Sequence, residues 1–170
     1  MEVVITVTDA ADSATSVAFA KMLTASLSYR RIESETLTST QPQAILNLSS
    51  KEASGSDYVK DFTKISAEAQ IHVDIQSFTN TESPTESFDF IVPQADAVID
   101  ESLASAVKET LDRYSDSTIS KVPYNNLYPS TYAALVMRIP TIAIMVSADS
   151  VDLYRAAADD LAEIVENYEQ

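Results

Sequence analysis

A chain of 170 residues with 45% apolar content is long enough for one domain with a real core. Its formal net charge of −15 argues against nucleic-acid binding through phosphates and against an anionic membrane surface, since both need clustered Lys and Arg. Zero cysteines remove disulfides, thiolate metal ligands and a cysteine nucleophile. No apolar run reaches the roughly 18 residues of a membrane span, and Glu2 stands where a secretory leader would be basic, so a cytoplasmic protein is expected.

Val3-Val4-Ile5-Thr6-Val7-Thr8 is a short apolar, β-branched run and reads as a buried strand. Asp9 to Ser13 is a turn of small and polar residues. From Ala14 a helix runs with Val17, Ala20, Leu23 and Leu27 near one face. Arg31 to Leu37 alternates and reads as a second strand nearer an edge. After the Gln41-Pro42 turn, Ala44 to Leu48 is a buried-type strand. Asp57 to Ala69 is an amphipathic helix with Tyr58, Phe62 and Ile65 on one side. Ile71, Val73 and Ile75 alternate with His72, Asp74 and Gln76. That is the pattern of a half-buried strand, which would turn its polar residues to solvent. Thr79 to Ser87 is a polar loop. Phe88 to Val92 is a strand ended by Pro93, and Ala95 to Ile99 is one more short strand. Glu101 to Tyr114 is a helix with Leu103, Val107 and Leu111 on one face. Thr118 to Val122 is strand-like, and Pro129 opens a helix to Met137. Pro140 to Val146 is a strongly apolar strand, and Asp149 or Ser150 caps a last helix to about Tyr168. Alternating strands and helices, several strands being apolar on both faces, define an α/β fold. The expectation is a single three-layer domain over 1–170. Its mostly parallel sheet is flanked by helices, as in P-loop-NTPase-like or Rossmann-like folds.

The opening strand-turn-helix has the layout of a phosphate-binding unit without its chemistry. Laid over Thr8 to Thr15, the pattern G-x-x-x-x-G-K-[ST] puts Thr8 and Ser13 at the glycines and Ala14 at the lysine, and only Thr15 matches. Asp9 and Asp12 would sit at the helix N-terminus, where the dipole favours a carboxylate and the same carboxylates repel a triphosphate. The chain has one glycine, Gly55, far from this turn. Loops that wrap phosphates draw on glycine for positive φ and close backbone approach. No bound nucleotide or other cofactor is therefore expected at the loop formed by Thr8, Asp9, Asp12, Ser13, Ala14 and Thr15.

Three stretches carry a family likeness. They are Val3 to Leu27; Phe88-Asp89-Phe90-Ile91-Val92 with Ala95-Asp96-Ala97-Val98-Ile99; and the tail from Thr118-Ile119-Ser120-Lys121-Val122-Pro123 through Pro140-Thr141-Ile142 to Ser150–Ile164. Together the chain resembles the ParA/MinD-type ATPases of the deviant P-loop class. The family's lysines and glycines have no match at Thr8 to Thr15. Asn47 and Pro93 fall where its two aspartates would stand. The resemblance implies a degenerate, non-catalytic pseudo-ATPase that works through protein contacts as an accessory or regulatory subunit, with a homodimer or a larger assembly as its setting.

Two other classes remain open on the residues. One is a small α/β hydrolase with a pocket at the strand carboxyl ends. The tail Leu127 to Tyr168 also resembles zinc-dependent cell-wall amidases, whose late strand carries a catalytic glutamate. Met145 stands near that place here, and the expected histidines are missing. The other is an acidic decoy for a nucleic-acid-binding protein, which the net charge of −15 suits. The last helix, with seven acidic residues from Asp149 onward and one basic residue, Arg155, reads as a solvated face that could also meet a basic partner. His72, the single histidine, shares a strand face with Asp74 and could pair a base with an orienting carboxylate. A solvent-facing pair is the plainer expectation. No metal site is expected, because His72 lacks companion ligands and Asp96, Asp100 and Glu101 read as a solvated strand end. For a partner surface, Tyr124, Tyr128 and Tyr132 combine apolar area with polar tips, and Arg155 adds a cation.

Overall fold

The computed structural model describes residues 2–8, 14–39, 68–77, 88–93, 101–114, 118–122, 138–146 and 151–168. In chain order these form β1 (Glu2–Thr8), α1 (Ala14–Tyr29), β2 (Glu33–Ser39), β3 (Ile71–Ser77), β4 (Phe88–Pro93), α2 (Glu101–Leu111), β5 (Thr118–Val122), β6 (Thr141–Val146) and α3 (Val151–Glu166). The strands make one sheet in the order β2-β1-β3-β6-β4-β5. β2, β1, β3 and β6 run parallel, whereas β4 is antiparallel to β6 and parallel to β5. The fold is therefore α/β, with a parallel four-strand block flanked by helices.

Strand position follows composition. β1 and β3 are central and apolar on alternate positions, and both of their faces are buried from Val3 to Val7 and from Ile71 to Ile75. β2 lies at an edge, as its alternation suggests, and its Glu33, Glu35, Thr36 and Thr38 are exposed. Charged and polar side chains there discourage edge-to-edge pairing. One sheet face supplies Val3, Ile5, Val7, Ile71, Val73, Ile75, Ile142, Ile144 and Val146 to a single core. Helices α1, α2 and α3 cover that face through Leu23, Leu27, Leu103, Val107, Leu111 and Leu161, among others. Phe19 of α1 meets Tyr154 of α3 edge to face, with ring centroids 5.9 Å apart. Of the face predicted for α1, Ala20, Leu23 and Leu27 are buried and Val17 half-buried.

The end of α1 is built without glycine. Arg31 takes φ 61, the left-handed region. Its N–H bonds to Ser28 O at 3.0 Å, and the N–H of Ile32 bonds to Leu27 O at 3.0 Å. This is a Schellman cap, in which Ile32 closes over the core beside Leu27. The position normally selects glycine, because any other residue brings its Cβ against the carbonyl.

Some predicted boundaries move. β2 begins at Glu33 rather than Arg31. The helix from Glu101 ends at Leu111, with a turn to Tyr114. Pro93 is the last residue of β4. The elements expected over 44–48, 95–99 and 129–137 lie outside the described residues. So does the helix over 57–69, apart from Glu68 and Ala69, which are not helical.

Candidate functional site

The chain leaves β1 for β2 on one side, and β3 joins β1 on the other. The strand order therefore reverses between β1 and β3. In open α/β sheets the crevice outside the strand carboxyl ends at such a point is where ligands bind. Across these two strands lies a buried polar trio, Thr6, His72 and Asp74, on the sheet face turned away from α1, α2 and α3. Thr6 is the register partner of Asp74, and His72 is the partner of Val4.

Thr6 Oγ1 donates to Asp74 Oδ1 at 2.7 Å and also lies 2.7 Å from His72 Nε2. A hydroxyl has one proton. Because it goes to the carboxylate, His72 Nε2 must carry the hydrogen of the second bond. The order is His72 Nε2–H to Thr6 Oγ1–H to Asp74 Oδ1, which fixes the tautomer. Burial drives the imidazole pKa from 6.5 down to about 3, so His72 is neutral at physiological pH. Its backbone N–H bonds to Pro140 O at 3.0 Å, tying β3 to the residues that lead into β6.

This corrects the expectation of a solvent-facing His72–Asp74 pair: the two are 0% and 1% exposed. The missed signal was the cover on that face: a parallel block is buried on both faces, so a strand that alternates can still turn its polar residues inward. Thr6, which joins the pair, sits inside an otherwise apolar strand, and that position marked it.

Of the other predicted site residues, Thr8 ends β1, and Ala14 and Thr15 open α1. Asp9, Asp12, Ser13, Tyr124, Tyr128 and Tyr132 lie outside the described residues. Arg155 is exposed on α3. The acidic face of α3 is partly engaged. Arg30 pairs with Asp159 at 3.4 Å and Glu166 at 2.7 Å. Asp160 accepts a hydrogen bond from Tyr114 and lies 3.7 Å from Arg113.

No family model matches the chain, and no curated protein matches it. Its fold is that of known amidases and peptidases. The CwlD amidase of Clostridioides difficile, solved in complex with the GerS lipoprotein, superposes with a TM-score of 0.61 at 12% identity, over 96% of each chain. The catalytic domain of CwlV, an N-acetylmuramoyl-L-alanine amidase from Bacillus (Paenibacillus) polymyxa var. colistinus, gives 0.61 at 12% identity over 99% of this chain and 98% of that one. A metallo-carboxypeptidase from Burkholderia cenocepacia gives 0.64 at 12% identity, over 97% of this chain and 56% of that one. The expectation of a pseudo-ATPase with a P-loop-like fold is thereby corrected. Apolar strands alternating with Ala-rich helices fix the α/β class, but many strand orders share that pattern.

A zinc centre built on histidine or cysteine does not fit this chain. Catalytic zinc takes three protein ligands, in sets such as His₃, His₂Glu or Cys₂His. This sequence has one histidine and no cysteine. That histidine is fully buried, with Nε2 committed to Thr6. Among the described residues no three His, Cys, Asp or Glu side chains are grouped to hold an ion. Met145 stands opposite Gln76 in the β3–β6 register, a pair that offers no carboxylate.

Proposed function

We infer that the chain is a hydrolase of amide-bearing substrates, peptide or glycopeptide, working at the carboxyl ends of β1, β3 and β6 without a histidine-rich zinc centre. The observation that supports it is the shared fold, which extends over 96–99% of this chain to proteins named for amide cleavage. Thr6, His72 and Asp74 act here as positioning residues. They hold β1 and β3 in register beneath the crevice and bring no net proton to it. The test is incubation of the purified chain with cell-wall muropeptides and a mixed peptide library, read by mass spectrometry, with added zinc and with a chelator. Product formation that ignores the chelator is the expected result. Turnover that requires zinc would overturn the metal-free part, and neither cleavage nor binding would overturn the whole reading.

A second reading is favoured by the histidine inventory: the crevice holds such a ligand without cleaving it. Saturable heat on titration of a muropeptide, with no product, would select it.

A further inference from the structure

Helix α1 has an outer face that its place in the core does not explain. Lys21 is the only charged residue in its 16 positions, whereas α3, equally long, carries Asp152, Arg155, Asp159, Asp160, Glu163 and Glu166. Phe19, Ala20, Leu23 and Leu27 already face the core. Ala18, Met22, Ala25 and Tyr29 lie along a groove of ≈ 570 Å³, with Lys21 and Arg155 at its border. Tyr29 is 89% exposed, the one large apolar side chain left in solvent among the described residues. The groove's single acid, Asp159, is held by Arg30, while no ion pair among the described residues reaches Lys21 or Arg155. A chain of charge −15 thus carries a locally cationic, aromatic-edged apolar strip.

We propose that this strip is the contact between two copies of the chain, with their α1 helices antiparallel about a twofold axis at Ala25. A twofold contact must be self-complementary. With the axis at Ala25, the residue four positions after it meets the residue four positions before it on the other copy. Tyr29 of each copy then covers Lys21 of the other and enters the groove beside Ala18 and Met22. A cation over an aromatic face is attractive, more so once water leaves. The small Ala25 side chain lets the helices approach at the crossing. Parallel packing would instead set Lys21 against Lys21 and leave both tyrosines unmatched. Two copies at −15 repel each other, and of the acids among the described residues only Asp159 lines this groove, where Arg30 already holds it.

Sedimentation velocity over a range of concentrations tests the assembly. The wild-type chain is expected to dimerise reversibly. Ala25→Arg, at an exposed position, is expected to weaken the dimer at least about tenfold without changing helicity. Because the chain has no cysteine, Ala25→Cys gives a direct readout. Oxidation should link two copies through Ala25→Cys and not through Ser28→Cys on the same helix, since a disulfide needs Cα atoms within about 7 Å. A chain monomeric at every concentration, a dimer indifferent to Ala25→Arg, or linkage at Ser28→Cys in preference to Ala25→Cys would each overturn the proposal.

Discussion

Replacing His72 by glutamine should flatten the acid side of the stability profile. The folded chain keeps its imidazole neutral down to about pH 3, whereas the unfolded chain protonates near 6.5. Above 6.5 both states are neutral and the full stability is present. As pH falls through 6.5 the unfolded chain takes up a proton that the folded one refuses, so stability declines until the folded group itself titrates. Each pH unit in that window is worth about 1.4 kcal/mol. Between about pH 7 and pH 5 the loss is then about 2 kcal/mol, or roughly 4–8 °C in Tm for a chain of this size. Glutamine does not titrate, and its amide N–H can still donate to Thr6. The assay is urea or thermal denaturation of both proteins across that range. The other carboxylates contribute equally to both and cancel in the difference. The wild type should lose about 2 kcal/mol more than His72→Gln on acidification. Parallel profiles would show that His72 is not held neutral by burial, and the argument for its tautomer would fall with it.

Thr6→Val keeps the shape but removes the buried hydroxyl that links His72 to Asp74, so it should cost about 1–3 kcal/mol by urea denaturation, while Thr6→Ser, which keeps the hydroxyl, should cost less. Arg31→Gly should raise stability by about 0.5–1 kcal/mol, because φ 61 strains any residue with a Cβ. Equal or lower stability would count against strain at that cap. The hydrogen bond to Asp160, with burial and the same carboxylate's charge adding to it, pushes the Tyr114 phenol up to about 12. A Tyr raised in this way contributes stability that is lost as pH climbs above 10. Tyr114→Phe should remove a phenolate step near pH 12 from an ultraviolet titration and cost about 0.5–1.5 kcal/mol near neutrality.

Much of the fold was legible because hydrophobic period reports local structure. The runs at Val3–Thr8, Ile71–Gln76, Thr118–Val122 and Pro140–Val146 are strands within a residue or so of their expected limits. The helix from Ala14 buries most of its expected stripe. Strand order was not legible. Nothing in Phe88–Pro93 says that it runs against Thr141–Val146, since direction is set by which neighbours a strand meets and not by its own residues. A second gap hid the polar trio. Alternation in β3 correctly put His72 and Asp74 on one face, but it cannot say that both faces of a parallel block are buried. The cap at Arg31 was hidden for a different reason: a chain with one glycine lacks the usual marker of a helix end.

The trio also bears on how long the native state lasts. Its partners lie 66 and 68 positions apart, whereas β1, α1 and β2 form a nearby strand-helix-strand unit. The near unit closes a short loop and can form first. The bonds across β1 and β3 must wait for a much longer segment to return, and sheets joined at such range fold slowly. Contacts made after the rate-limiting step leave refolding speed nearly untouched and govern how fast the structure comes apart. Damage at Thr6 should therefore register in the unfolding limb of a chevron plot, so that the same three side chains that hold the register set the lifetime of the native state.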